Sequence, residues 1–339
     1  MDELKVSVVI PCRNEKDYII ACIQSVLHNN YKSEKIEVIV CDGMSDDGTF
    51  ELLKNHTEKY PQLLILKNEK RTTPYALNLG IKNSTGDVVI ILGAHAEMHG
   101  NYLNTCVDIL NKKPDVWCCG GVLKNEAKDK IGEVISLAMT SQFGVGSAHF
   151  RTGAKEGYVD TVAFGAYRKE VFSLIGFFDD ELTRNQDDEF NYRLTKAGKK
   201  IWLATDTSVK YFVRGNWKKL WSQYFQYGYW KVFVNRKHKM VTTIRQLIPF
   251  FFVLFLIAGI VSSCFSFVLL EIFMSVLFIY IISAIAFAAR LSKSVIAISK
   301  IVYAFFILHM SYGFGYLKGV IDFFLLQKKS AGAHQTLSR

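Results

Sequence analysis

The amino-acid sequence predicts an α/β fold, a doubly wound and mostly parallel central sheet, followed by apolar C-terminal helices that cross a membrane. Three observations carry this. Short apolar runs alternate with stretches of helical spacing through the first hundred residues, polar turns close those runs, and no charged residue lies between Gln246 and Leu270. Strands that are apolar throughout and alternate with helices call for a parallel sheet covered on both faces. An uncharged stretch of this length matches the ~20 residues a helix needs to span a bilayer.

The elements follow in order. Val6–Ile10 is a β-branched run closed by Pro11, and Ile19, Ile20, Ile23, Val26 and Leu27 place a helix within Glu15 to His28. Ile36–Val40 repeats the run, the polar turn from Cys41 to Thr49 closes it, and Phe50, Leu52 and Leu53 begin a second helix. Leu63–Leu66 is a third strand, Thr73–Lys82 a third helix, and Val88–Leu92 a fourth strand between Gly86-Asp87 and Gly93. From Met98 to Thr207 the pattern is mixed, with Trp117–Val122 strand-like and Asp188–Ala197 helical. Val213–Val234 interleaves Trp217, Trp221, Tyr224, Phe225 and Trp230 with Lys218, Lys219 and Lys231, the composition of an interfacial helix. Ser262-Ser263-Cys264 is a place to turn, which gives spans over Leu247–Val261 and Phe267–Ala289. Val295–Leu326 contains Lys300, His309 and Lys318 and reads either as a third span or as an interface helix. The expected organisation is residues 1–212 as the α/β domain, 213–245 as an interfacial segment, 246–326 as a membrane domain and 327–339 as a polar tail.

Composition agrees with this division. At 339 residues the chain holds about two units, and 50% apolar residues with a mean hydropathy of +0.14 argue against a fully soluble protein. The net charge of +10 admits nucleic acid, membrane or anionic substrates as partners. A nucleic-acid protein should spread basic and aromatic residues across its soluble half. Here they gather beside the apolar runs, in Arg236, Lys237, His238, Lys239 and Arg245 and again in Arg290, Lys293 and Lys300, as expected at the cytoplasmic ends of spans facing anionic lipid. Nucleic acid is therefore not an expected partner. Seven cysteines without a CxxC read as reduced, mostly buried thiols, and the opening MDELKVSVVIPC does not read as a signal peptide.

In open parallel sheets ligands bind beyond the carboxyl ends of the strands. That singles out Pro11-Cys12-Arg13-Asn14-Glu15, the turn Asp42 to Thr49, and the residues after Leu92. Carboxylates there can accept hydrogen bonds from a base N–H and ribose hydroxyls. Asp42 and Asp47 serve equally as turn-formers and helix caps. No GxxxxGK and no GxGxxG follows the first strand, which argues against phosphate-loop and dinucleotide sites.

The blocks VSVVIPCRNE, VCDGMSDDGT, ALNLG with GDVVI, AFGAYR, IGFFD and NQDDEFNYRL, in that order over roughly residues 5–235, resemble the family 2 glycosyltransferases, above all the membrane-anchored members that build bacterial exopolysaccharide, such as the succinoglycan glucosyltransferase type. The resemblance implies a GT-A fold, a UDP-type nucleotide-sugar donor, a polyprenyl-diphosphate-linked saccharide acceptor, and a multi-pass protein of the bacterial inner membrane whose catalytic domain faces the cytoplasm. It places Pro11, Arg13 and Glu15 at the donor's nucleotide, Asp42 at the uracil or ribose, and Asp187 at the family's catalytic carboxylate with Asp188 as its neighbouring alternative. Inverting transfer needs such a group to take the acceptor proton. The same aspartates also suit the first turn of the helix that follows.

Two positions depart from the family pattern. The usual Asp-x-Asp, which binds Mg²⁺ or Mn²⁺ across the diphosphate, falls on Gly93-Ala94-His95-Ala96. His95 with Glu97 is then the candidate metal pair, suited to Mn²⁺ more than Mg²⁺; a direct bond from His95 to the diphosphate and a structural role are the alternatives. Gln186 stands where Glu is common, which concentrates the expectation for the base on Asp187. Arg71 and Lys70 are candidates for the donor's phosphates. Arg214, Trp230 and Lys231 are candidates for a lipid or leaving phosphate and a stacked sugar. A polyprenyl-phosphate sugar synthase and a membrane scaffold with a vestigial transferase domain are the competing functions.

Overall fold

The structure is a computed structural model and describes residues 4–329 apart from Ser147, Ala154, Arg214 and Thr243. It divides into two compact units: the first comprises residues up to Lys124 together with His149–Phe212, and the second Asn125–Ala148 together with the chain from Val213 onward.

The first unit is built on a nine-stranded sheet whose strands are β1 Val6–Cys12, β2 Ile36–Asp42, β3 Leu63–Lys67, β4 Val88–Ile91, β5 Ala96–Met98, β6 Val116–Glu126, β7 Gly157–Val159, β8 Ala166–Arg168 and β9 Lys200–Phe212. Their order is β3-β2-β1-β4-β8-β6-β9-β5, with β7 also on β9. The first four are mutually parallel, as their apolar runs predict. β8 then joins β4 antiparallel, so the sheet is mixed beyond β4. Val6, Val8 and Ile10 of β1 face a core shared with Ile19, Ile23 and Val26 of helix Ile19–Leu27, whereas Val9 faces the opposite side with Leu77 and Ile81 of helix Thr73–Asn83. Alternate burial on both faces is why these strands carry so few polar side chains. The polar exception, Ser7, bonds Glu37, which also accepts from Thr85 N–H and Oγ1. Burial alone would raise the Glu37 carboxyl, but these hydrogen bonds hold it below the usual range.

Helix Thr73–Asn83 approaches the sheet closely because of Gly80. A Cβ there would stand 2.3 Å from Val9 Cγ1 and 3.2 Å from Cys41 Sγ. Six of the seven cysteines are buried and all seven are free, as read from their spacing; Cys264 is exposed.

The second unit is helical. Helices Ile248–Ser263, Phe267–Leu291 and Val295–Val320 follow one another, the first turn lying at Cys264 as the polar triplet suggests. Among the described residues three helices, Ile244–Ser263, Phe267–Leu291 and Val295–Leu325, are long and apolar enough to cross a membrane, so the third apolar region has the length and composition of a span. Side chains such as Ile248, Phe251, Ile260 and Phe278 point outward. An apolar face of that extent belongs in lipid or against another protein.

The aromatic, basic stretch forms one helix, Trp217–His238, and its two halves differ: Lys218 and Lys219 are exposed, whereas Tyr229 to Asn235 are buried. The buried half packs along helix Val295–Val320 through glycines rather than lying on a surface. A Cβ on Gly315 would be 2.0 Å from the Phe225 carbonyl oxygen, and one on Gly228 would be 2.1 Å from that of Tyr312. Small residues let two backbones meet at this distance, the packing typical of helices in lipid. Helix Lys130–Thr140 also belongs to this unit, with Val134, Ile135 and Ala138 set against Phe305 and Leu308.

Two substitutions test these contacts. Gly80→Ala overpacks the sheet face and should lower stability by about 1–3 kcal/mol, read as a reduced melting temperature in detergent; an unchanged value would show that Val9 can give way. Gly315→Leu should separate helices Trp217–His238 and Val295–Val320 and cut the yield of monodisperse protein; an unchanged yield would show that the close approach at Gly315 is incidental.

Candidate active site

The polar groups expelled from the strands collect at the carboxyl edge of the parallel sheet. Register brings Cys12 opposite Asp42, and the β1–β4 ladder ends earlier, at Val9 opposite Ile91. Pro11, which has no N–H to donate, thus stands beyond the last β1–β4 pair, a position a proline tolerates. Asp42 is buried, and its carboxylate accepts from Ser45 N–H (3.1 Å) and Ser45 Oγ (2.5 Å), a turn that closes on itself as turn chemistry predicts. Ser45 Oγ accepts in turn from Asn14 N–H at 2.9 Å, and Asn14 and Asp46 exchange a reciprocal pair of bonds. The segments after β1 and β2 are therefore locked together. Asn14 and Met44 adopt left-handed backbone conformations to make this possible, with φ of 55° and 59°. Asp47 accepts from Thr49 and from Lys16 N–H; burial works against these bonds, but they hold its carboxyl below the usual range.

Arg13 covers Gly43, where a Cβ would stand 3.2 Å from that of Arg13. Glu15 is buried, donates its N–H to Thr49 Oγ1 at 3.0 Å, and sets a carboxylate oxygen 3.3 Å from His95 Nδ1. His95 stays 21% exposed and lies beside the ring of Tyr211, at 5.0 Å between centroids. It is thus partnered by Glu15 yet open on one side. Glu97 stands two residues on, in β5, opposite Lys210. Among the described residues no group of three or more His, Cys, Asp and Glu side chains is placed to hold a metal. His95 and Glu15 provide one nitrogen and one oxygen donor, so a cation there would need oxygens from its ligand as well. Asn68 links the third strand to this edge by donating its N–H to the Asp42 carbonyl, and its side chain accepts from Arg71 N–H. The Arg71 and Lys70 side chains are exposed; Lys70 lies over the Tyr75 ring.

Asp187 and Asp188 occupy the first turn of helix Gln186–Lys196, where the aligned peptide N–H groups favour negative charge. Asp187 accepts from Asp188 N–H at 2.9 Å. Its side chain is open to solvent but ringed by protein. Desolvation first, and then the like charge of Asp188, raise its carboxyl above the ordinary range; Arg151 opposes them. Two anchors fix the helix. Glu189 forms a two-pronged pair with Arg193 (2.8 and 2.9 Å), which also donates to the Ile175 and Phe177 carbonyls. Asn191 accepts from Tyr167 Oη and donates to Thr161 Oγ1, each at 2.9 Å. Asn78 fastens the adjoining loop through Phe178 and Asp180. Sequence reasoning gave no role to Asn14, Ser45, Asn78 and Arg193, although all four lie within the blocks it singled out for other members. Trp230 and Lys231 are enclosed within the second unit, both under 2% exposed, and Arg214 lies outside the described residues.

Comparison with known proteins fits this geometry. The model for glycosyl transferase family 2 matches residues 7–176. The dolichyl N-acetyl-α-D-glucosaminyl phosphate 3-β-D-2,3-diacetamido-2,3-dideoxy-β-D-glucuronosyltransferase of Methanococcus voltae is 30% identical over 329 residues, covering 93% of this chain and 97% of that protein. Succinoglycan biosynthesis protein ExoA of Rhizobium meliloti (strain 1021) is 30% identical over 249 residues, 71% of this chain and 73% of that one. Among solved structures, the mannosyltransferase PcManGT from Pyrobaculum calidifontis, in complex with GDP-Man and Mn²⁺, superposes with a TM-score of 0.66 over 95% of this chain and 88% of that one at 17% identity. The fold is therefore of the GT-A type, and the chain belongs to glycosyl transferase family 2.

Proposed function

We propose that the protein is an inverting glycosyltransferase that moves one sugar from a nucleotide-sugar donor to a lipid-linked saccharide, in the assembly of a surface polysaccharide or glycan. The observation that carries this reading is Asp187: a carboxylate open to solvent, with a raised pKa, held at the start of a helix that is pinned from two sides. A base of this kind accepts the proton of the acceptor hydroxyl as that oxygen attacks the anomeric carbon, opposite the departing diphosphate. The configuration inverts because one displacement occurs. The nucleotide is placed at the carboxyl edge of β1, β2 and β4, with the base and ribose near Asp42 and Arg13 and the diphosphate toward His95 and the exposed Arg71. A UDP-type donor is the expectation carried from the sequence motifs. A divalent cation would take His95 and Glu15 as protein donors, with Glu97 close in sequence, and when bound would neutralise charge on the leaving diphosphate. An N/O set of this kind suits Mn²⁺ better than Mg²⁺.

The lipid-linked acceptor is supported by the Methanococcus voltae relative, whose name states a dolichyl-linked sugar phosphate as acceptor and whose similarity extends through the apolar helices. These helices would anchor the chain in the bilayer that holds a polyprenyl carrier. The basic residues flanking them support a catalytic unit on the cytoplasmic side of a cell membrane.

Asp187→Asn should lower kcat/KM by roughly 10²–10⁴-fold without lowering the melting temperature. The sign follows from the raised pKa. A carboxyl that holds its proton more tightly in the folded state opposes folding once it ionises, so its removal costs no stability at neutral pH. For the same reason the acid limb of the kcat/KM profile in wild type should have its midpoint above an ordinary Asp, about 3.9, with activity rising as pH rises through it. Full activity in Asp187→Asn would contradict the base assignment and favour a lipid phosphate as the attacking group. Failure of the wild-type protein to bind UDP or GDP would overturn the enzymatic reading in favour of a scaffold.

EDTA should reduce transfer, Mn²⁺ should restore it, and His95→Ala should mimic the chelator. Undiminished turnover in EDTA would remove the cation from the site while leaving the base in place.

A further inference from the structure

On the turn that carries Arg151, three side-chain atoms have no hydrogen-bond partner in the protein. His149 Nδ1, Arg151 Nη1 and Thr152 Oγ1 are each shut away from solvent without a hydrogen-bond partner. All three sit on one short turn, His149–Thr152. Arg151 is near enough to Asp187 for its charge to act on that carboxyl, and its guanidinium lies against the Phe150 ring, 5.3 Å from the centroid. An unsatisfied buried polar group costs about 1–3 kcal/mol, and more when charged. Three within four residues of one turn amount to a large local penalty, unless a ligand relieves it.

The chemistry of the three atoms defines that ligand. A guanidinium donates and cannot accept, a threonine hydroxyl can donate, and an imidazole nitrogen donates when it carries the proton. Their common partner is an anion with several acceptor oxygens, and a phosphoryl group presents three in the geometry arginine suits best. Two sources exist, the donor's diphosphate and the phosphate that ties the acceptor to its lipid. Position favours the second. In an inverting displacement the base stands on the attacking side and the diphosphate leaves on the other, so a group beside Asp187 meets the acceptor.

We propose that His149, Arg151 and Thr152 form a subsite for the phosphoryl group that joins the acceptor's sugar to its lipid. The proposal rests on the reading of Asp187 as the base. It makes Arg151 a specificity residue, selecting acceptors whose phosphate lies close to the attacked hydroxyl over uncharged glycolipids.

The test is a binding comparison on the full-length protein in detergent, with farnesyl phosphate, farnesol, UDP and GDP as probes. Wild type should bind farnesyl phosphate at least tenfold more tightly than farnesol. Arg151→Gln should abolish that preference, Arg151→Lys should keep part of it, and affinity for the nucleoside diphosphate should stay within twofold. Thr152→Val, which preserves shape, should weaken farnesyl phosphate by threefold or more and serves if Arg151→Gln fails to fold. A preference that survives both Arg151→Gln and Thr152→Val would overturn the proposal. Equal loss of nucleotide affinity in Thr152→Val would assign the turn to the donor's diphosphate and overturn it as well. Failure of the underlying transferase reading would look different, since wild type itself would then bind neither UDP nor GDP.

Discussion

The register of the parallel ladder, which sets Cys12 opposite Asp42 and stops the β1–β4 pairing at Val9 and Ile91, is the constraint on which the site depends. Strands buried on both faces leave no room for polar side chains along their length. The polar residues of this stretch are therefore displaced to the strand ends, and the register decides which ends meet. Because β1 and β2 finish level, Asn14 and Ser45 can bond across the gap, and because β4 ends sooner, the chain turns at Gly93 to bring His95 to Glu15. A slip of one residue in either ladder would exchange the side chains of the two buried faces and misalign the strand ends.

Asp187 depends on a separate arrangement. Its helix carries a nearly buried carboxylate, Glu189, a costly group unless fully paired. Arg193 pairs it through two nitrogens and uses its remaining donors on the loop that precedes the helix. The ion pair fixes a location more than it adds stability. Around it Phe178 and Phe190 stack at 4.4 Å, and Asn191 is hydrogen-bonded on both sides. The aspartate is thereby fixed in place while its carboxyl remains accessible, the condition that the proposed role as a base requires.

Much of this was legible in the sequence because it rests on local patterning. The four parallel strands, the helices between them, the turn at Cys264 and the candidate residues at strand ends all follow from runs of apolar residues and their punctuation. What was not legible depends on partners distant in sequence. The pairing of Glu15 with His95 joins residues 80 apart, and the bond from Asn78 to Phe178 joins residues 100 apart. Helix Lys130–Thr140 has an ordinary amphipathic pattern, and only its neighbours show that it belongs with the apolar helices. The aromatic helix Trp217–His238 carries the composition of a surface helix, yet the glycines that let it sink against Val295–Val320 lie some 90 residues further along. Composition records what a segment can do, and tertiary contact decides which of those options is used.

The proposed chemistry requires the carboxyl edge of β1, β2 and β4 to hold a nucleotide. The most direct measurement is an experimental structure of the full-length protein with UDP or GDP bound. The base and ribose should lie against Asp42 and Arg13, with the diphosphate directed to His95. Nucleotide density anywhere else on the chain, or contacts that bypass both Asp42 and His95, would contradict it.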